Sequence, residues 1–159
     1  MSVSIRAARE DDVAVLHLLI RALAEYEKLA AQVVGTAADL QRELFSARPV
    51  IEAVIAWEKE SALGFALYFH NYSTFLARRG LYLEDLFVVP DARGRGVGKA
   101  LIRHCARVAV ERGCGRFEWS VLDWNQPAIQ FYQSIGATML PDWRICRITG
   151  DSLTRFAET

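Results

Sequence analysis

The chain has 159 residues, of which 52% are hydrophobic and 24% are charged. These proportions are typical of a folded globular chain and exclude a disordered or low-complexity segment. The 19 basic residues equal the 19 acidic residues in number, and this net charge of +0 argues against binding of nucleic acid through bulk charge.

The cysteines and the first residues of the chain indicate the cellular compartment and the number of domains. Cys105, Cys114 and Cys146 are odd in number and lack the spacing of metal ligands, which favours reduced thiols and predicts no metal site. The start, MSVSIRAAREDD, becomes charged too early for a signal peptide, and no apolar run is long enough to cross a membrane. We therefore expect one cytoplasmic domain, residues 1–159, without a nucleic-acid or membrane partner.

The first half of the chain predicts two helices and three strands. A strand is expected at about 2–7, followed by a helix over 10–30 that Asp11 or Asp12 caps. Val13, Leu16, Ile20 and Leu23 fall on one stripe of that helix. Thr36 and Asp39 resemble a capping box, which predicts a short helix over 36–45. Apolar runs at 51–58 and 62–69 flank a polar turn and predict a hairpin, with a loop over 71–80.

The second half alternates strands and helices. Patterns of apolar residues predict strands over 81–89, 116–122 and 143–149, helices over 98–112 and 125–137, and a closing turn or short helix over 150–157. The run at 81–89 is apolar on both faces apart from two acids, which is typical of a strand inside a covered sheet. The expected fold class is α/β, a mixed central sheet of six to seven strands flanked by about four helices.

The stretch FVVPDARGRGVGKALIRHCARVA joins a strand to a helix through a glycine-rich loop. Its helix start carries Arg93, Arg95 and Lys99 where acids are usual. The spacing satisfies neither the P-loop nor the dinucleotide-binding fingerprint. Exposed backbone N–H groups beside three cations suit an anion with more than one phosphate group. The alternative is a simple glycine turn with solvated arginines.

The segment from Arg93 to Gly98 matches the Arg/Gln-x-x-Gly-x-Gly/Ala signature and resembles the GCN5-related N-acetyltransferases. In that family the loop binds the pyrophosphate of acetyl-CoA through backbone N–H groups, and the preceding strand pairs with the pantetheine arm. The resemblance therefore implies acetyl-CoA as co-substrate. It implies cofactor contacts at Leu86, Phe87, Val88, Arg93, Gly94, Arg95, Gly96, Val97, Gly98 and Lys99.

A second block, VLDWNQPAIQFYQSIGA, also resembles this family. The resemblance implies that Asn125, Pro127 and Ala128 line the far end of the cofactor, and that Tyr132 is the general acid that protonates the departing thiolate. A phenol is a reasonable proton donor for that step. The alternative is that Phe131 and Tyr132 are an aromatic pair in the core.

Two acids in LYLEDLFVV predict the acceptor side of a site. Successive strand residues point to opposite faces, so Glu84 and Asp85 cannot both decorate a one-sided surface. A buried carboxylate needs a partner or a function. Glu84 is the expected base that deprotonates the incoming amine, and Asp85 is expected to hold a cationic substrate. The alternative is that both acids form structural ion pairs with arginines.

Nearly the whole chain resembles one branch of the family, the diamine acetyltransferases, which includes spermidine/spermine and thialysine acetyltransferases. The resemblance implies a homodimer. It implies an amine channel lined by Tyr26, Glu27, Glu84, Asp85, Glu118, Trp119, Ser120 and Asp142. Thr74 replaces an acid of the polyamine enzymes, Leu18 replaces an arginine, and Arg78 and Arg79 add cations. These departures favour a smaller amine with its own carboxylate.

The expected function is therefore an acyltransferase that moves an acetyl group from acetyl-CoA directly to a primary amine of a small molecule, such as a diamine, polyamine or lysine-like compound. A covalent acetyl-cysteine route is the minor variant, because no cysteine falls in the expected cleft. Two alternatives stay open: a peptide or protein N-acetyltransferase, and a non-catalytic acetyl-CoA sensor.

Overall fold

Five strands form one mixed sheet in the computed structural model, which describes residues 2–158. In chain order the strands are β1 (Ser4–Ala7), β2 (Glu52–Glu58), β3 (Ser61–Ser73), β4 (Arg78–Val88) and β5 (Phe117–Trp119). Their order in the sheet is also β1 to β5. The first three pairings are antiparallel, and β4 with β5 is parallel. The predicted hairpin is confirmed as β2 and β3.

Helices fill the connections between these strands and follow the last one. They are α1 (Val13–Tyr26), α2 (Ala37–Phe45), α3 (Val97–Glu111), α4 (Gln126–Ser134) and α5 (Gly150–Ala157). The mixed α/β class is therefore confirmed. The expected numbers were wrong: residues 2–158 hold five strands rather than six to seven, and five α-helices rather than four.

Two strands and one loop that the sequence predicted differ from the structure. The strand expected over 143–149 is not formed, because all of its residues are exposed and none pairs with a neighbouring strand in the described chain. The strand expected over 116–122 shrinks to β5, the only part of it that pairs with β4. The loop expected over 71–80 is mostly strand, because backbone pairing continues to Ser73 opposite Arg78 and leaves a turn at 74–77.

The end of α1 is fixed earlier than the hydrophobic pattern predicts. Lys28 adopts a φ of 63°, in the left-handed region, and cannot continue the helix. Leu29 then donates its backbone N–H to the carbonyl of Ala24 at 2.8 Å, as in a Schellman motif. The motif stops α1 at Tyr26 and holds Glu27 in the turn directly after it.

One layer of the core lies between α1, α2 and the sheet. Leu16, Leu19 and Leu23 of α1 are buried with Phe65 and Phe87 of the sheet, whereas Ile20 is only partly buried. Burial of each large apolar side chain contributes about 1.5–3 kcal/mol. The capping box predicted for Thr36 and Asp39 at the start of α2 is confirmed. Packing in this layer brings the end of α1 against the second half of β4.

The other face of the sheet packs against α3. Val97, Leu101 and Cys105 of this helix are buried, as are Leu81 and Leu83 of β4. The packing holds α3 behind β4 and sets the position of the glycine-rich loop that connects them.

The chain divides into two compact units, Met1–Ser120 and Val121–Thr159. The first unit contains the whole sheet with α1, α2 and α3, and the second contains α4 and α5. No helix within residues 2–158 has the length and apolar character needed to cross a membrane.

Candidate functional site

A β-bulge at Glu84 divides β4 into two halves. Leu83 pairs with Tyr68 and Asp85 pairs with Leu67, so Glu84 is the extra residue on its strand. In the first half, β5 pairs with Leu81–Leu83 and then ends. Among the described residues no strand covers the outer edge of β4 from Glu84 to Val88. Backbone donors and acceptors on this edge can therefore pair with an extended ligand.

Strand alternation identifies which backbone groups face this open edge. Val89 donates its N–H to the Leu63 carbonyl at 2.9 Å, so it faces β3, and Phe87 faces the same way. Leu86 and Val88 therefore present their N–H and C=O groups outward. The Nε of Arg93 donates to the Val88 carbonyl at 3.0 Å and occupies that acceptor.

The glycine-rich loop brings the chain from the end of β4 to the start of α3. Gly94 has a φ of 73° and Gly96 a φ of 81°, a region in which a side chain is strained. Gly96 is the N-cap residue of α3 and the first turn of this helix carries no acid. The unpaired N–H groups of the helix start therefore lie beside the open edge without a side-chain partner, as an anion site requires.

The three cations of the loop have different surroundings. Arg95 forms an ion pair with Glu58, and the guanidinium of Arg93 lies over the rings of Tyr26 and Phe87. Lys99 is exposed, and no ion pair is recorded for it in residues 2–158. Anion binding here would therefore rest on backbone N–H groups and Lys99 first.

Three carboxylates interact where the end of α1 meets the bulge of β4. Burial, together with the charges of Glu84 and Glu27, raises the pKa of Asp85 to about 7. Burial and then the charge of Glu84 also raise the pKa of Glu27. No ion pair joins any of the three to a cation within the described chain, so the structural ion pairs considered from the sequence are not formed. An unpaired acidic group of this kind favours a cationic ligand.

The acceptor-side residues expected on and next to β5 divide between two faces of the sheet. Glu118 pairs in register with Tyr82, and Ser120 lies 2.9 Å from the Tyr82 hydroxyl. Trp119 is on the other face, with its ring 4.9 Å from that of Phe117. Tyr82 was missed by the sequence analysis, although its position two residues before Glu84 was the signal that could have identified it.

The remaining candidates belong to the second unit. Asn125 is buried, and its Oδ1 accepts the Ala128 N–H at 3.4 Å, so that it is the N-cap of α4. Pro127 lies in the first turn of that helix. Tyr132 is also buried, with its ring 5.4 Å from that of Phe131. Asp142 is exposed in the segment before α5.

Comparison with known proteins gives concordant results. The family model for the acetyltransferase (GNAT) family matches residues 13–137. The chain is 36% identical to thialysine N-epsilon-acetyltransferase of Sus scrofa, over 98% of each chain. It is 34% identical to L-ornithine N5-acetyltransferase of Arabidopsis thaliana, over 94% of this chain and 85% of that one.

A solved structure with the same fold is an integron cassette protein from the mobile metagenome of V. cholerae. Its TM-score is 0.82 at 29% identity, covering 100% of this chain and 99% of that chain. The family match spans both α1 and the open edge of β4, and continues through the glycine-rich loop to the block around Tyr132. The chain therefore belongs to the acetyltransferase (GNAT) family.

Proposed function

We propose that the chain transfers the acetyl group of acetyl-CoA directly to a primary amine of a small molecule. One observation carries this proposal: the outer edge of β4 is open from Glu84 to Val88 and leads into a glycine-rich loop at the start of α3. An extended thioester arm can pair with such an edge while its phosphates reach the helix start.

The cofactor would be held chiefly by backbone groups. Leu86 offers outward N–H and C=O groups and Val88 an outward N–H to the pantetheine arm, with Phe87 between them; the Val88 carbonyl accepts from Arg93. The pyrophosphate would bind at the loop and first turn from Arg93 to Lys99. Asn125, Pro127 and Ala128 are proposed for the far end of the cofactor.

The acceptor amine would bind at the acidic group formed by Glu27, Glu84 and Asp85. An amine arrives protonated, and its positive charge would favour ionised carboxylates. Glu84 is the proposed base, because it occupies the bulge where β5 ends. Asp85, whose pKa is about 7, would hold the cation and can take up the proton near neutral pH. Tyr26, Glu118, Trp119, Ser120 and Asp142 complete the proposed acceptor side.

The transfer step would then follow from these groups. The neutral amine attacks the thioester carbonyl, and outward N–H groups of the β4 edge stabilise the negative charge that develops on its oxygen. The C–S bond breaks as the C–N bond is completed, and Tyr132 donates a proton to the departing thiolate. The proton that the acetylated nitrogen then releases would pass through solvent and restore the Tyr132 phenol.

Direct transfer is favoured over an acetyl-cysteine intermediate. Burial raises the pKa of the Cys105 thiol to about 12, so that it is not a thiolate at neutral pH. The thiolate is the nucleophilic form of cysteine. Cys146 is exposed beyond α4, away in sequence from the open edge.

The acceptor class is inferred from the names of the relatives, and the assembly from the resemblance to the diamine acetyltransferases. Thialysine and ornithine, the named acceptors of two relatives, are small amines that carry a carboxylate. We propose an acceptor of that class for this chain. We also propose a cytoplasmic homodimer in which residues 1–159 form one N-acetyltransferase domain.

Release of free CoA from acetyl-CoA with a panel of acceptors tests this function. The panel contains thialysine, ornithine, lysine, putrescine, spermidine, spermine and a basic peptide, each with wild type and Tyr132→Phe. Fast release with one small amine, reduced in the variant, is expected. Release with the peptide alone would assign a peptide acceptor. No release, together with a higher melting temperature in acetyl-CoA, would indicate a sensor.

A further inference from the structure

A polar pocket lies at the far end of the β3–β4 hairpin, apart from the acidic group. Its volume is about 60 Å³. It is lined by Asn71, Tyr72, Ser73, Arg78, Arg79, Gly80, Arg116 and Glu118. Three arginines and one glutamate therefore contribute to the lining of one small concavity.

The opposite charges in this pocket do not pair with one another. Arg78 and Arg116 form no ion pair with any residue in the part of the chain that the structure describes, and neither does Glu118. Arg79 donates to the carbonyl of Arg112 at 3.4 Å. Cations and a carboxylate held apart around one pocket can each bind the opposite charge of a zwitterionic ligand.

Close packing at Gly80 preserves the shape of the pocket. A Cβ at this position would lie 2.3 Å from the Oδ1 of Asn71 and 3.4 Å from the Arg116 carbonyl. Asn71 and Gly80 are directly paired across the two strands. Glycine thus leaves room for the Asn71 amide over β4, where the amide adds a donor and an acceptor to the lining of the pocket.

The pocket and the acidic group are on the same face of the sheet. Gly80, Tyr82 and Asp85 pair with Asn71, Phe69 and Leu67, which alternate on one face of β3, and Tyr82 also pairs with Glu118. Arg116 precedes Phe117, the partner of Leu81, so it is level with Gly80. From Gly80 to Glu84 the strand advances about 13 Å. A lysine-length amine spans about 7 Å from its side-chain nitrogen to its carboxyl carbon, and the length of an arginine side chain is sufficient to cover the rest of that distance.

We propose that this pocket is the subsite for the α-amino-acid end of the acceptor. Arg116 and Arg78 bind its α-carboxylate, Glu118 binds its α-ammonium, and the side-chain amine reaches Glu84 and Asp85. The proposal rests on the proposed function, and it makes free amino acids with a terminal side-chain amine the preferred substrate class over diamines.

Acceptors that differ by one charged group test the subsite. Lysine carries both charges, cadaverine lacks the carboxylate and 6-aminohexanoate lacks the α-ammonium; ornithine, putrescine and 5-aminopentanoate repeat the series one carbon shorter. Values of kcat/KM are measured with wild type, Arg116→Gln and Glu118→Gln. Arg103→Gln on α3 is the control, because it removes an exposed arginine outside the pocket.

Wild type should prefer each amino acid over its diamine. Arg116→Gln should lower that preference by about tenfold, as expected for loss of a charge-assisted hydrogen bond. Glu118→Gln should reduce the preference for lysine over 6-aminohexanoate, and Arg103→Gln should change neither ratio. Ratios that are the same in wild type and in both pocket variants would overturn the subsite.

Binding of lysine by calorimetry separates this proposal from the proposed function. If no acceptor is acetylated, the function fails, yet lysine binding that Arg116→Gln weakens and Arg103→Gln leaves unchanged would still support the pocket. Equal binding of lysine and cadaverine to wild type would overturn it whether or not acetyl transfer occurs.

Discussion

The guanidinium carbon of Arg93 lies 4.8 Å from the centre of the Tyr26 ring. Arg93 is the first residue of the glycine-rich loop and Tyr26 is the last residue of α1. Glu27, one of the three interacting acids, follows directly. This contact therefore joins the proposed cofactor side of the site to its acceptor side.

Loss of the Tyr26 ring should disturb both sides. An exposed cation–π contact contributes about 0.5–1 kcal/mol, so Tyr26→Leu should raise the KM of acetyl-CoA and of the amine by about threefold each. Tyr26→Phe keeps an aromatic face and should stay near wild type. Steady-state kinetics with each substrate varied in turn is the measurement. A change confined to the amine would show that the contact does not join the two sides.

Gly96 should be far less tolerant of alanine than Gly98. The φ of 81° at Gly96 strains any side chain, so Gly96→Ala should cost about 1–2 kcal/mol and weaken acetyl-CoA binding by about tenfold. At Gly98 a Cβ would lie at an ordinary 3.6 Å from Val88, and this variant should bind nearly as wild type. Calorimetric binding constants compare the two.

Gly35→Ala is the matched control for that comparison. A Cβ at Gly35 meets nothing within 4 Å, and its φ lies outside the left-handed region. It should therefore leave binding unchanged. Equal affinities for Gly96→Ala and Gly35→Ala would remove the glycine-rich loop from the cofactor site.

Asp85 should make the fold less stable as pH rises. Its pKa is about 7 in the folded chain, above the ordinary 3.8, so the folded state holds a proton that the unfolded state has lost between those two values. Stability therefore falls over that range. Asp85→Asn should raise the melting temperature at pH 8 and have little effect at pH 4, measured by thermal unfolding in matched buffers. The same shift at both pH values would mean that Asp85 is ionised throughout.

Ionisation of the Asp85 carboxyl should also appear in the pH dependence of kcat/KM. Uptake of a proton from the amine needs ionised carboxylates, so kcat/KM for wild type should rise toward neutral pH. Glu84→Gln should lower the plateau if Glu84 is the base, whereas Asp85→Asn should remove the inflection near pH 7. A Glu84→Gln profile identical to that of wild type would assign the base elsewhere.

Asp12 should stabilise the first helix from outside it. Its Oδ2 accepts the Arg9 N–H at 2.7 Å and the Arg6 guanidinium at 2.6 Å, and hydrogen bonding from Arg6 lowers its pKa. Asp12→Ala should cost about 2 kcal/mol at neutral pH, measured by urea unfolding. The loss should shrink as pH falls through the lowered pKa, because wild type then loses the same contacts. A constant difference down to pH 2 would contradict this origin.

The sequence predicted the elements that have strong local signals. Thr36 with Asp39 is a local cap and was confirmed. The apolar stripe of α1 is a local pattern, and its Leu16 and Leu23 are buried in the core, whereas Ile20 is only partly buried. The strand expected over 143–149 failed for the opposite reason. Its apolar alternation is local, but a strand forms only where a distant edge is available to pair with it.

The candidate site was predicted in part. The residues expected on β4 and in the glycine-rich loop are neighbours in the structure, because one strand and one turn carry them. The bulge at Glu84 was not predictable, since it depends on the register between β3 and β4 rather than on residue type. The pocket beside Arg116 was missed as well, because its lining comes from three strands whose alignment the sequence does not state.

Formation of product tests the central claim most directly. Acetyl-CoA labelled with ¹³C in its acetyl group is incubated with the protein and ornithine or thialysine, and NMR follows the label while free CoA is assayed. The account predicts an acetamide on the side-chain nitrogen in one-to-one amount with CoA, and much slower formation with Tyr132→Phe. Release of CoA with the label appearing as acetate, or on a cysteine of the protein, would contradict direct transfer to an amine.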